Sequence, residues 1–412
     1  MDIREIMGAV LTFSMFLMLG NMIKRDHFDA DVLLDVHPMA SSYAYQEDFT
    51  QMSRHSLFQL PVDKSKKYGQ RSKLCWNNSS PTKEGVQSKG FVTFPLTDGP
   101  EYHVSQVANA VLVAKYLGGT LVLPEIIGNK GEKRRFHEIY DADKFITSMS
   151  GVIQVEARKH HEALAKKSID VKVPYNANRN YIMHNVGPIF QTTQNVRVIS
   201  YFPSSTTKLA DVDKDTNPYS CWAMFEALRL KPELQKLVDS IVGSLRSHDP
   251  NGQFVAIDYK TEMLGTSTCQ SNANEGMKNC YNPVEIAQFL QRIGYPRDST
   301  IYVTQSKADR SLGLLKDLYP KTFTKEEIMQ EAKMGETSEL EQAIIDFHIC
   351  SVSEVFVPAK SGLFYANVVG NRIATSRIDV LVPAQITSNL AQDHVSSFVA
   401  KASHPAYACF CQ

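Results

Sequence analysis

The chain has 412 residues, and its 44 Lys and Arg balance 44 Asp and Glu. With 43% hydrophobic and 21% charged residues it is compositionally globular, and 21 Gly and 18 Pro exclude collagen-like and low-complexity classes. The neutral balance removes any global argument for nucleic acid or an acidic membrane surface, and at roughly 150 residues per domain the length implies two domains.

In chain order, residues 1–5 form a short tail ahead of Ile6–Ile23, a run of eighteen residues without a charge. At 1.5 Å per residue that run spans about 27 Å, close to a bilayer core of roughly 30 Å, so 6–23 is expected to be a single transmembrane anchor. A cleaved signal peptide fits less well, because the apolar run is long and no small-x-small site precedes Lys24-Arg25. Residues 24–86 are polar and aperiodic and read as a luminal stem. Asn77-Asn78-Ser79-Ser80 holds two overlapping glycosylation sequons, at Asn77 and Asn78.

The body begins near Gly90 with a β-prone run, Phe91 to Phe94, followed by the turn Asp98-Gly99-Pro100. Val104, Val107, Ala108, Val111, Ala114 and Leu117 recur at helical spacing, Gly118-Gly119 stops the helix, and Thr120 to Leu123 reads as a buried strand closed by Pro124. Strand, helix and strand in immediate succession form a βαβ unit and imply a parallel sheet. Asp141 and Asp143 precede Phe145-Ile146 and read as a helix cap. Asp211, Asp213 and Asp215 read as a solvated turn, so neither Asp-x-Asp run is favoured as a metal site. His160-His161 and the basic run Lys130, Lys133, Arg134 and Arg135 read as solvated surface. There is no P-loop, dinucleotide glycine fingerprint or nucleophile elbow.

A helix over 231–246 ends at His248-Asp249-Pro250-Asn251-Gly252, which divides the chain into domains at 87–249 and 250–412. The βα pattern then restarts, with strands over 253–258, 300–304 and 354–358. Helices are expected from Asn282-Pro283 through Arg292, over 308–318, near 338–350, and from Ser361-Gly362 to near Gly370. Two such halves predict an α/β protein of two Rossmann-like domains facing a ligand cleft. The seven cysteines include no C-x-x-C pair. Cys269 and Cys280 flank a Ser/Asn/Gly-rich loop that a disulfide would close, and Cys409 and Cys411 have Cys75 and Cys221 as candidate partners, with the connectivity open.

Three features of the second half converge on anion chemistry. Lys260 follows a buried strand at its carboxyl end, where open α/β sheets bind ligands. Asp346 sits in a mostly apolar helix and needs a partner there. Ser361-Gly362 lies between a strand and a helix, so the first helical N–H groups point outward and glycine permits close approach by a diphosphate.

Several ordered blocks carry a resemblance. The segments 99–126 (GPEYHVSQVANAVLVAKYLGGTLVLPEI), 134–146 (RRFHEIYDADKFI), 319–328 (YPKTFTKEEI) and 353–373 (SEVFVPAKSGLFYANVVGNRI), with the ending Tyr407-Ala408-Cys409-Phe410-Cys411, resemble the plant branch of the O-fucosyltransferase-like family, in particular its mannan-synthesis-related members. The resemblance implies a two-Rossmann glycosyltransferase of the GT-B type, held as a single-pass type II protein of the Golgi membrane with its body in the lumen. It implies a GDP-sugar as donor substrate, with no metal and no other cofactor, a polysaccharide acceptor in mannan or glucomannan synthesis, and a mannan synthase as a partner. By the same resemblance the donor cleft draws on Gly99, Tyr102 and His103 of the loop after the first strand. Asp346 meets the base, Ser361, Gly362 and Phe364 provide the helix-start contacts, and Lys260 is the catalytic cation. Relatives carry Gly-Gly-x-Asn-Gln in that loop and His-x-Arg at the strand end, where this chain has Gly99-Pro100-Glu101-Tyr102 and Asp258-Tyr259-Lys260. These departures leave two further expectations: a non-catalytic partner that binds a GDP-sugar or glycan beside a mannan synthase, and a protein O-fucosyltransferase.

Overall fold

The computed structural model describes residues 72–75, 88–97, 99–128, 131–157, 168–175, 177–202, 217–264, 280–331, 335, 337–383 and 388–411. The expected anchor over 6–23, both sequons, Cys269, Lys130, His160-His161 and Asp211 to Asp215 lie outside the described residues, as does the stem apart from 72–75. Among the described residues no helix is long and apolar enough to cross a membrane.

The first half opens with strands β1 (Phe91–Thr93) and β2 (Leu96–Thr97) and helix α1 (Pro100–Leu117). Then come β3 (Thr120–Val122), β4 (Glu125–Ile127), β5 (Lys133–Arg135), helix α2 (Ala142–Met149), β6 (Val155–Glu156), β7 (Ile169–Pro174) and β8 (Asn195–Tyr201). Five strands form one parallel sheet in the order β6-β3-β1-β8-β7, while β2, β4 and β5 make a small mixed sheet. Helix α1 is buried on nearly every face, as expected of a helix that lies between layers rather than on the surface. Proline at its first turn lets it start before the periodic residues do, and Gly118, at φ +68°, closes it in the left-handed conformation. Asp141 caps α2, accepting a hydrogen bond from the Lys144 N–H at 2.9 Å.

The second half runs through α3 (Pro232–Ser247), β9 (Val255–Asp258), α4 (Pro283–Arg292), β10 (Ile301–Val303), β11 (Thr322–Thr324), α5 (Lys325–Glu331), α6 (Glu339–Val352), β12 (Val355–Pro358) and α7 (Leu363–Ala374). Its four strands are all parallel, in the order β11-β10-β9-β12. Covered on both faces, β9 and β10 carry buried residues throughout, which is why they read as continuous apolar runs instead of alternating ones. Asn282 and Glu285 form a reciprocal capping box at the start of α4. The helix expected over 308–318 is a 3-10 turn, Arg310–Leu312, followed by an α-helix, Gly313–Leu318.

Helix α7 continues past Gly370 to Ala374. Gly370 is therefore no terminator. A Cβ there would meet the His404 ring at 2.9 Å, so the glycine permits close packing of the C-terminal segment. Near the end of α7 the buried Arg372 guanidinium donates to the carbonyls of Cys350, Ser353, Glu354 and Asp379, which satisfies the exit of α6 and the turn into β12.

The two halves meet where α1 crosses α7. Asn367 Nδ2 donates to the Glu101 carbonyl at 2.6 Å and to Ser105 Oγ at 3.1 Å. Two disulfides settle the open connectivity: Cys75 pairs with Cys411, and Cys221 with Cys409. The described end of the stem is thus stapled to the C-terminus, and Leu74 and Phe410 form an antiparallel bridge beside it. Cys280 is disulfide-bonded and Cys350 is a buried free thiol.

Candidate functional site

The register of the second sheet builds the site. Asp258 is paired with Pro358, so Lys260 and Lys360 leave the sheet two residues further along each of two adjacent strands. On the other side of β9, Val303 pairs with Ile257, which brings Thr304 beside Asp258. Thr304 Oγ1 donates to Asp258 Oδ1 at 3.1 Å. Asp258 is 3% exposed, and burial pushes its carboxyl up to about 6 against the pull of Lys260 and the Thr304 hydroxyl.

Asp346 comes to the same edge from α6 with no exposed surface. Its Oδ1 accepts the Tyr302 hydroxyl at 2.6 Å, and its Oδ2 faces Lys325 Nζ at 2.7 Å and Lys260 Nζ at 3.5 Å. Burial and the Asp346 charge hold the Tyr302 phenol protonated, well above its ordinary range. Burial alone would lower the Lys260 ammonium, but the carboxylates of Asp346, Asp258 and Glu101 outweigh it and raise it. Glu101, in the first turn of α1, is the contribution of the first half to this field.

Beside Lys360 the chain turns at Ser361 and Gly362 into α7. Gly362 has φ +146°, a conformation that disfavours any side chain, and a Cβ built there would meet nothing within 4 Å. The start of this twelve-residue helix thus has room beside the Gly362 Cα, at the same sheet edge as Lys260, whose side chain is 35% exposed. That combination can hold a phosphate or diphosphate.

The expected site residues divide in three ways. Lys260 and Asp346 are in contact, and Ser361 and Gly362 lie at the same edge. Gly99 caps α1 through its extended backbone, and Tyr102 sets its ring edge-on to Phe202 with the centroids 5.3 Å apart. Phe364, half-buried, sets its ring edge-on to Phe347 at 5.6 Å, against the core. His103 is fully buried with Nδ1 2.8 Å from the Tyr140 hydroxyl, so its imidazole supports α1 rather than lining a cleft. The Asp346 carboxylate is likewise sealed, and what it meets in this structure is a phenol and two ammonium groups. Lys325, Tyr302 and Thr304 were not among the expected residues. The available signal was that Lys260 and Lys325 each follow a strand of one parallel sheet, whose carboxyl ends share an edge.

A separate cavity of about 550 Å³ lies between the halves, with Pro100, Tyr140, Trp222, Arg229, His348 and Phe410 among its lining residues. Neither Lys260 nor Asp346, Ser361 or Gly362 lines it. Among the described residues no three His, Cys, Asp or Glu side chains cluster as metal ligands.

Two α/β units with parallel sheets, stitched at α1 and α7, thus make an α/β protein in which Lys260, Lys360 and a glycine-led helix start share one sheet edge. Residues 103–375 match the family model described as GDP-fucose protein O-fucosyltransferase, and the chain belongs to that family. It is 43% identical to Protein MANNAN SYNTHESIS-RELATED 1 of Arabidopsis thaliana, covering 100% of this chain and 99% of that protein. It is 41% identical to Protein MANNAN SYNTHESIS-RELATED of Trigonella foenum-graecum over the same shares of each chain. Among solved structures, POFUT1 in complex with GDP aligns at a TM-score of 0.42 with 13% identity, covering 72% of this chain and 98% of that one.

Proposed function

We propose that this protein is a glycosyltransferase of the GT-B type that uses a GDP-sugar donor, without a metal, in the synthesis of mannan or glucomannan in the Golgi lumen. Membership of the family supports the reaction class, and the names of the full-length relatives support the polysaccharide. The observation that carries the reading is that Lys260, its side chain about one-third exposed, and the glycine-led start of α7 share one sheet edge. When the glycosyl bond to the donor breaks, charge develops on the β-phosphate of the departing GDP. A fixed cation and the first helical N–H groups stabilise that charge more than they stabilise the intact donor. Lysine supplies one point charge on a flexible stem where arginine would hold two oxygens, so the leaving group is held by the helix start and Lys260 together. The nearby carboxylates of Asp346 and Asp258 favour the charged form of Lys260.

A second reading, a non-catalytic GDP-sugar binder acting beside a mannan synthase, is favoured by the contact of Lys260 with Asp346, which engages the cation in the absence of donor. Incubating the purified luminal portion with GDP-mannose, GDP-glucose and GDP-fucose, each with an oligomannan acceptor, separates the two. Elongated acceptor supports the transferase. Donor binding with no product from any pair supports the binder, and, in a further incubation of GDP-fucose with a protein acceptor, fucose transfer there alone would make it a protein O-fucosyltransferase.

A further inference from the structure

Asp346 Oδ2 is shared by two ammonium groups in unlike surroundings. Lys325 Nζ stands at 2.7 Å with its side chain 4% exposed, and Lys260 Nζ at 3.5 Å with its side chain 35% exposed. A sealed carboxylate needs one compensating charge, not two, since an unpaired buried ion is what destabilises a fold. Lys325 is built for that duty. It opens α5 directly after β11, and its backbone N–H is tied to the Gln305 carbonyl at 3.2 Å. Lys260 has the longer contact and the access to solvent.

We propose that Lys325 is a positioning residue that frees Lys260. As the standing counter-ion of Asp346, it allows Lys260 to leave the carboxylate for an incoming diphosphate without stranding a buried charge. The inference rests on the donor reading above for the identity of the anion. With Lys325 removed, Lys260 becomes the remaining ammonium on Asp346 and is drawn inward, away from the ligand. A lysine that only filled space or stabilised the fold would leave Lys260 where it is.

The test compares GDP affinity, by calorimetry, in the wild type, Lys325→Met, and Lys325→Met combined with Asp346→Asn. Lys325→Met should weaken GDP about tenfold or more. Asp346→Asn in the same background removes the charge that captures Lys260 and should recover most of that loss. A folded Lys325→Met protein that binds GDP as the wild type does overturns the proposal, as does a double variant that recovers nothing. If Lys325→Met alone fails to fold, the double variant, free of the stranded charge, still decides by its affinity relative to wild type. A second measurement needs no ligand. Acylation of Lys260, followed by peptide mass spectrometry, should slow several-fold in Lys325→Met and return in the double variant, and an unchanged rate overturns the hand-over. Absence of GDP binding by the wild type would sink the donor reading, while the acylation rates would still judge the role of Lys325.

Discussion

Lys260 is the residue on which the proposed chemistry turns, and its partners make its behaviour calculable. Lys260→Ala should lower turnover by about 10²-fold or more, the scale for loss of one electrostatic stabiliser, while Lys260→Arg should retain or raise it because two oxygens can then be held. Steady-state rates of the two variants check this, and an unaffected Lys260→Ala rate would make the lysine a bystander. Asp258 gives a pH prediction. Its carboxyl is pushed up to about 6 in the fold by burial, above the value of about 4 expected unfolded, so the folded state prefers the protonated acid. Its contribution is therefore most favourable below about pH 4 and is lost as pH rises through about 6, to the extent of roughly 3 kcal/mol. Asp258→Asn mimics the protonated form. Its stability relative to wild type should rise across that window in urea melts taken at pH 4, 5, 6 and 7, and parallel curves would contradict the assignment. Lys260, Asp346 and the Gly362 turn were legible because each breaks a local pattern: a charge after an apolar strand, an acid in an apolar helix, a glycine at a helix start. Tyr302 and Lys325 break none. A tyrosine in a strand and a lysine opening a helix are ordinary until the packing of α6 on the sheet brings Asp346 between them.

At the scale of elements, the strand and helix order was legible because buried parallel strands are short apolar runs and several helices open on a capping residue, such as Asp141 and Asn282. What misled was glycine. Gly370 reads as a stop, yet it is a contact point for His404, a relation between residues far apart in the chain. Gly362 reads as a site of close approach, and its conformation adds a second requirement, since φ +146° is strained for any other residue. Gly362→Ala should thus destabilise the protein by about 1–3 kcal/mol through the backbone, not through a clash, because a Cβ would face open space. The relaxed turn would redirect the first N–H groups of α7, so GDP affinity should fall along with stability. A variant that keeps both its melting temperature and its GDP affinity would show that the helix start is not the anion site. His103 misled in a different way. It lies in the first turn of a helix that follows a strand, where the donor loop was expected, but α1 is wrapped on all sides and its imidazole is taken by Tyr140.

The whole molecule is two α/β units held by contacts that cross between them, above all Asn367 with Glu101 and Ser105, and the covalent path from Cys221 to Cys409. The C-terminal segment lies against α7, where His404 Nε2 is 2.9 Å from the Ala366 carbonyl, so the Cys221–Cys409 bond couples the first half to the helix that begins at the proposed anion site. Pairing could not be read from spacing, because the bonded residues are 188 and 336 positions apart and only the docking of the C-terminus brings them together. Replacing Cys221 and Cys409 together by serine should cost about 2–5 kcal/mol of stability, and reducing agent should have little further effect if that bond dominates. Melts of the wild type and the double variant, each with and without reductant, check this. The central claim, that the sheet edge around Lys260 and Gly362 receives the diphosphate of a GDP-sugar, is tested most directly by titrating GDP into the purified wild-type protein and into Lys260→Ala in a calorimeter. The account predicts saturable one-site binding by the wild type, weakened at least about tenfold in the variant; no heat from the wild type, or equal affinity in both, would contradict it.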